Sequence, residues 1–254
     1  LPYKIDWNFS FYHLAYQVML YNINNINLES LLYQNIGATI GASNPISRFS
    51  RLDAGLDLNY IIKSRISTLY NQWGQLISEN INYEDSYTNF IPYLKYTWDN
   101  AIWSYMHPVD GIRYYIKYKT SPGINKNSLH FHSATLDIRK YIQITNGISV
   151  AGRLFGGSNW GKNPQKFSLG GVPWVFSSDS YNERFFGGQG ELSIEELYFS
   201  EYVMPLRGAQ ISNKLGNNVI LMNFEFRLPF LIYYFPTIKY LGQINGVLFS
   251  DIGV

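Results

Sequence analysis

Polar and apolar residues alternate along most of this chain with a period of two, the spacing at which successive side chains of an extended strand leave opposite faces. In RLDAGLDLNY, Arg51, Asp53, Gly55, Asp57 and Asn59 share one face, and Leu52, Ala54, Leu56, Leu58 and Tyr60 the other. IRYYIKYK sets Arg113, Tyr115, Lys117 and Lys119 against Ile112, Tyr114, Ile116 and Tyr118. SATLDIRKYIQI sets Ser133, Thr135, Asp137 and Arg139 against Ala134, Leu136, Ile138 and Ile142, and VILMNFEFRLPF sets Asn223, Glu225 and Arg227 against Ile220, Met222, Phe224, Phe226 and Leu228. A soluble sandwich also alternates, but its polar face looks outward and its apolar face fills a shared core. Here the polar face mixes acids, bases and small residues, while the apolar strips carry Tyr, Trp and Phe near the strand ends. That combination predicts an all-β fold, an antiparallel transmembrane β-barrel with a polar lumen, a lipid-facing belt and aromatic girdles.

Connector lengths point the same way. SNPIS (Ser43 to Ser47), PVDG (Pro108 to Gly111) and TNG (Thr145 to Gly147) read as tight turns, with longer polar links at 63–89, 121–128 and 157–216 between them. Short turns on one rim and long loops on the other are the habit of outer-membrane barrels. The pattern yields about nine or ten strands in a single domain over 1–254, with no repeat beyond the hairpin. Residues 1–30 read as one long strand or as a hairpin with YNINNINLES as its loop. The final INGVLFSDIGV reads as a strand in progress, so the chain is expected to be cut inside its domain, leaving the barrel incomplete.

Composition narrows the function classes. The chain is 17% aromatic and only 15% charged, against a usual quarter for charged residues. Mean hydropathy is -0.14 and no apolar run approaches about eighteen residues, which excludes a transmembrane helix and leaves a barrel open. The absence of cysteine removes disulfides, thiolate metal sites and thiol nucleophiles. A net charge of +2 is too small for a nucleic-acid footprint, and LPYKIDWNFSF lacks the basic start and unbroken apolar core of a signal peptide.

Motifs that might carry catalysis fall short. GGSNWGK, Gly156 to Lys162, has the glycine and lysine spacing of a phosphate-binding loop, but Asn163 and Pro164 follow and no helix begins there. His130 and His132 share one strand face without an acidic partner at metal-ligand spacing, and read as interfacial side chains among aromatics. Glu191, Glu195, Glu196 and Glu201 read as an acidic loop segment rather than a hydrolytic carboxylate pair. No G-x-S-x-G elbow is present. The sequence therefore predicts no catalytic residues, no metal and no cofactor, and a protein that is not an enzyme.

One constellation stands apart. Glu225 and Asp251 fall on the polar faces of the two strands that follow the long loop, and Arg207, in MPLRGAQ, lies near that loop's end. A loop folded into the lumen would let the guanidinium fork pair with either acid. Gly208 would permit the sharp turn beside it, and Gly253 would leave room on the wall.

These residues bring the chain close to a known family. PVDGIRYYIKYKTSPG, ATLDIRKYIQITNGISVAGRLFGG, KFSLGG, the LRG of residues 206–208, NFEFRLPF and FSDIGV occur in the order of the landmarks of the bacterial surface-antigen barrels of BamA and TamA type. The chain resembles that family well over 90–254 and more loosely over 30–62. The resemblance implies a sixteen-stranded barrel, with FSDIGV as the thirteenth strand and the chain's start a few strands in. It also implies that the loop arginine, here Arg207, pairs in the lumen with Glu225 and Asp251. Departures are Leu206 for the usual valine, Ala209 for the aromatic after the glycine, and an insertion, VPWVFSSDSYNERFFGGQGELSIEELYFSEYVMP, as in versions found behind TolB-like propellers.

By resemblance, the function is outer-membrane protein assembly or translocation in the bacterial outer membrane. The implied partners are outer-membrane lipids, client outer-membrane proteins, and periplasmic accessory domains or lipoproteins, with no nucleic acid. A passive porin or a lipid or polysaccharide exporter is the first alternative, and a soluble β-sheet glycan-binding protein the second.

Overall fold

The computed structural model describes residues 5–20, 27–71, 73, 75–104, 107–145, 147–171, 201–209, 214–228 and 246–254. These are organised around one antiparallel sheet. Its strands are β1 (Asp6–Leu20), β2 (Asn27–Pro45), β3 (Ser50–Tyr70), β4 (Leu76–Asp99), β6 (Pro108–Pro122), β7 (His130–Thr145), β8 (Ile148–Gly161), β12 (Asn218–Leu228) and β13 (Gly246–Gly253), neighbours in that order. A short β5 (Ile102–Trp103) pairs with the start of β6. Among the described residues there is no helix, and no pairing joins β1 to β13, so the sheet is not closed.

The alternation of the sequence becomes two distinct surfaces. Trp7, Phe9 and Phe11 on β1, Ile36 and Ile40 on β2, Leu58 and Tyr60 on β3, and Ile220, Met222 and Phe224 on β12 all stand exposed on one face. Phe11 keeps 85% of its surface. An apolar face continuous over so many strands far exceeds what a soluble monomer leaves bare and suits hydrocarbon. On the opposite face Asp53, Asn89, Thr135, Asp137 and Asn223 are buried.

Aromatic contacts gather on the outer face toward both ends of the strands. Near the short turns Trp98 stacks on Tyr114 at 6.4 Å and meets Phe49 at 6.0 Å. Toward the other rim His132 stacks between Tyr118 and Trp160. His130 meets His132 edge-on, so the histidine pair belongs to this aromatic row, and no group of three metal-ligating side chains occurs among the described residues.

Three boundaries differ from the sequence expectation. The link expected at 63–89 is mostly strand: β3 runs to Tyr70 and β4 begins at Leu76. Polar residues on both faces concealed it, Lys63 and Arg65 on one face of β3 and Ser64 and Thr68 on the other, and ion pairs of Glu84 with Lys63 and Arg65 add to its ladder. PVDG is not a turn but the first rung of β6, which Asn100 steadies by accepting the Ile112 N–H on its Oδ1. Gly111 takes φ +100 there, and a Cβ would meet the Asn100 carbonyl oxygen at 2.6 Å. The long loop is shorter than 157–216, since β8 extends through Gly161. The N-terminal segment is a hairpin, β1 with β2, although residues 21–26 of its expected loop lie outside the described residues.

GGSNWGK is accordingly the end of β8, where Gly156, Gly157 and Gly161 are ladder positions facing β7. Its backbone N–H groups serve the sheet rather than a phosphate.

Candidate functional site

The long loop carries a second, smaller sheet of β9 (Phe167–Leu169), β10 (Glu201–Val203) and β11 (Lys214–Gly216), in the order β10-β9-β11. Its apolar side chains Phe167, Leu169 and Val203, with Leu206, pack on Phe155 of β8 and on Val219 and Leu221 of β12. Those three wall residues point to the same side as Arg153, Asn223 and Glu225, so the face expected to be polar throughout contains an apolar island beneath the loop. Glycine makes the approach possible: a Cβ at Gly157 would lie 2.5 Å from the Phe167 ring, and one at Gly253 would lie 2.7 Å from Leu169 Cδ2.

Four consecutive loop residues are then fixed one by one. Arg153 donates to the Met204 carbonyl, and Asn223 Nδ2 donates to the Pro205 carbonyl at 2.8 Å. Leu206 sits in the apolar island, and its N–H donates to the Gly171 carbonyl at 3.0 Å. The Arg207 N–H donates to Asp251 Oδ2 at 2.9 Å. Upstream, Lys119 of β6 holds Glu201 at 2.8 Å. Residues of β6, β8, β12 and β13 thus reach one short segment, which requires the large sheet to curl around this face and makes it the inside of the barrel wall.

The Arg207 guanidinium closes the arrangement. Nε and Nη2 donate to Asp251 Oδ2 and Oδ1, each at 2.7 Å, and Nη1 donates to Glu225 Oε1 at 2.8 Å. Asn223 Nδ2 also donates to Asp251 Oδ1 at 2.7 Å, so a carboxylate with a side chain 1% exposed is held by four donors. The Phe249 ring lies 3.9 Å from the guanidinium carbon, adding a cation–π contact from the wall. Ala209 packs on the apolar island in place of an aromatic. Gly208 takes φ +84 with open space where a Cβ would stand, so conformation rather than crowding demands glycine there.

The network continues downward. Arg227 donates through Nε and Nη2 to Glu225 Oε2, at 2.9 and 2.7 Å, and through Nη1 to the Pro108 carbonyl at 3.0 Å. A chain of charge-assisted hydrogen bonds therefore runs from Asp251 through Arg207, Glu225 and Arg227 to the start of β6. Beside it Asp137, buried at 1% side-chain exposure, is held by Arg139 on its own strand and by Arg153 on β8.

All five residues singled out from the sequence, Arg207, Gly208, Glu225, Asp251 and Gly253, lie within this latch. The sequence reading missed Phe249, Arg227, Asn223, Arg153 and the apolar island. A usable signal existed for the island: Val219, Ile220, Leu221 and Met222 are apolar without alternation, the mark of a strand covered on both faces. Glu191, Glu195 and Glu196 lie outside the described residues.

Neither a family model nor a curated protein sequence matches the chain. A solved structure does, that of BamA from Haemophilus ducreyi lacking POTRA domains 1-3, with a TM-score of 0.53 at 12% identity over 96% of this chain and 49% of that one. The fold resembles a fragment of the BamA barrel. The chain spans about half the length of that neighbour, and at 12% identity the likeness extends to the fold alone. In this BamA-like sheet the latch occupies the concave face of β8, β12 and β13.

Proposed function

We propose that the chain is part of a bacterial outer-membrane β-barrel of the assembly or translocation class, not an enzyme, in which the Arg207 loop braces the lumen while other parts of the wall move. The observation that carries this reading is the guanidinium fork shared between Asp251 and Glu225 on adjacent strands, at the end of a loop packed against the inner wall. The continuous apolar outer face supports a lipid environment and argues against the soluble glycan-binding alternative. Client outer-membrane proteins and periplasmic accessory domains or lipoproteins are the partners this role requires.

The test uses the full-length protein in lipid vesicles with an unfolded client barrel, and follows the client's heat-resistant folded fraction over time. Wild-type vesicles are expected to speed client folding over empty ones, and Arg207→Ala vesicles to lose most of that gain. A passive porin or exporter would leave client folding at the empty-vesicle rate while conducting steadily across a planar bilayer. That result would replace the assembly reading.

A further inference from the structure

The inner wall between β4 and β6 carries two cations that the lumen's acids leave unpaired. Lys95 and Lys117 lie directly opposite each other in the register of this strand pair, where like charges repel. The ammonium groups turn onto aromatic neighbours: Lys95 Nζ lies 4.7 Å from the centre of the Tyr115 ring, and Lys117 Nζ lies 5.9 Å from that of Tyr93. Every acid nearby is already engaged. Asp53 accepts from Ser43 and Arg51, Asp57 from Tyr12 and Thr39, Asp137 from Arg139 and Arg153, and Glu201 from Lys119. Among the described residues neither Lys95 nor Lys117 forms an ion pair.

Two opposed, half-buried ammonium groups that no carboxylate contacts directly, although Asp53 stands across from Lys95 in the register, are a standing cost, and a doubly charged oxyanion bridging them would relieve it through charge-assisted hydrogen bonds. Next to Lys117 the wall forms a cavity of about 330 Å³ lined by Tyr12, Asp57, Asn59, Tyr93 and Phe131. Rings beside amide, hydroxyl and carboxylate groups suit the flat faces and hydroxyls of a sugar better than an aliphatic chain. We propose that Lys95 and Lys117 form a luminal oxyanion site for the phosphate of a small phosphorylated solute, with a sugar ring seated in the adjoining cavity. The site depends on this face being the lumen and is independent of the assembly role.

The experiment titrates the full-length protein, in detergent and phosphate-free buffer, with inorganic phosphate, a hexose phosphate and the neutral hexose, by calorimetry. Both phosphates are expected to bind, the hexose phosphate more tightly, and the neutral hexose not at the same concentrations. Lys95→Gln and Lys117→Gln should each weaken phosphate by about ten-fold, the loss of one charge-assisted contact, while Lys140→Gln on the outer face leaves it unchanged. Lys117→Arg, which keeps the charge, should retain binding and guards against a variant that fails to fold. Equal affinity for both phosphates would overturn the sugar seat. No binding of either phosphate, or wild-type affinity in a folded Lys95→Gln and Lys117→Gln double variant, would overturn the site.

Discussion

Arg207 meets two acids at once because a planar guanidinium presents donors along two edges, one to Asp251 and one to Glu225, with a face left for Phe249. Removing it leaves Asp251 buried beside only its neutral donors, an unpaired charge that typically costs about 3–5 kcal/mol. Arg207→Ala is therefore expected to lower the thermal unfolding midpoint of the detergent-solubilised barrel clearly, read by heat-modifiable migration. Arg207→Lys should recover only part of the loss, since a point charge cannot bridge both carboxylates. A double-mutant cycle of Arg207→Ala with Asp251→Asn should show strong coupling, and additivity would remove the latch as an energetic unit. Exchanging the charges, Asp251→Arg with Arg207→Asp, should restore only part of the loss, because the swap moves the cation off the Phe249 face. Phe249→Leu should cost about 0.5–2 kcal/mol, the range of a cation–π contact. At this scale the sequence was informative where alternation and residue type coincide, as at Glu225 and Asp251. It was silent about Phe249, because an aromatic in a barrel strand reads by default as lipid-facing.

At the level of elements, the loop is held as much by shape as by charge. β9 approaches β8 only because Gly157 presents no side chain to the buried Phe167 ring. Gly157→Val should push β9 off the wall and destabilise the barrel by about 1–3 kcal/mol, as overpacking does. Phe167→Leu in the same chain should return part of it, and the comparison of the two unfolding midpoints checks the claim. Strand identity was legible wherever one face was apolar and the other polar. It faded in the β3–β4 hairpin, where Lys63 and Arg65 pair with Glu84 on one face and Ser64 and Thr68 interrupt the apolar run on the other. It faded again at PVDG, whose turn-like residues are used to start a strand against β5.

For the whole molecule, the two faces of the sheet obey different solvents. Met222→Arg on the outer face should cost about 2–4 kcal/mol if it lies at mid-bilayer depth, while Asn223→Ser beside it should act only through the loop. Folding into lipid vesicles, scored by protease resistance, separates the two. The fold class was readable from alternation alone, whereas the internal sheet was not, because its strands are three residues each, too short for any period to show. The wall anchors on Met204, Pro205 and Arg207 and the ion pair at Glu201 carry a mechanical corollary. They all lie on the concave side, so flattening the wall between β6 and β13 would pull them apart, whereas bending at β1 to β4 would leave them untouched. The loop thus acts as a tie-rod that sets the radius of one arc, and any breathing of the barrel is steered into the arc it does not span.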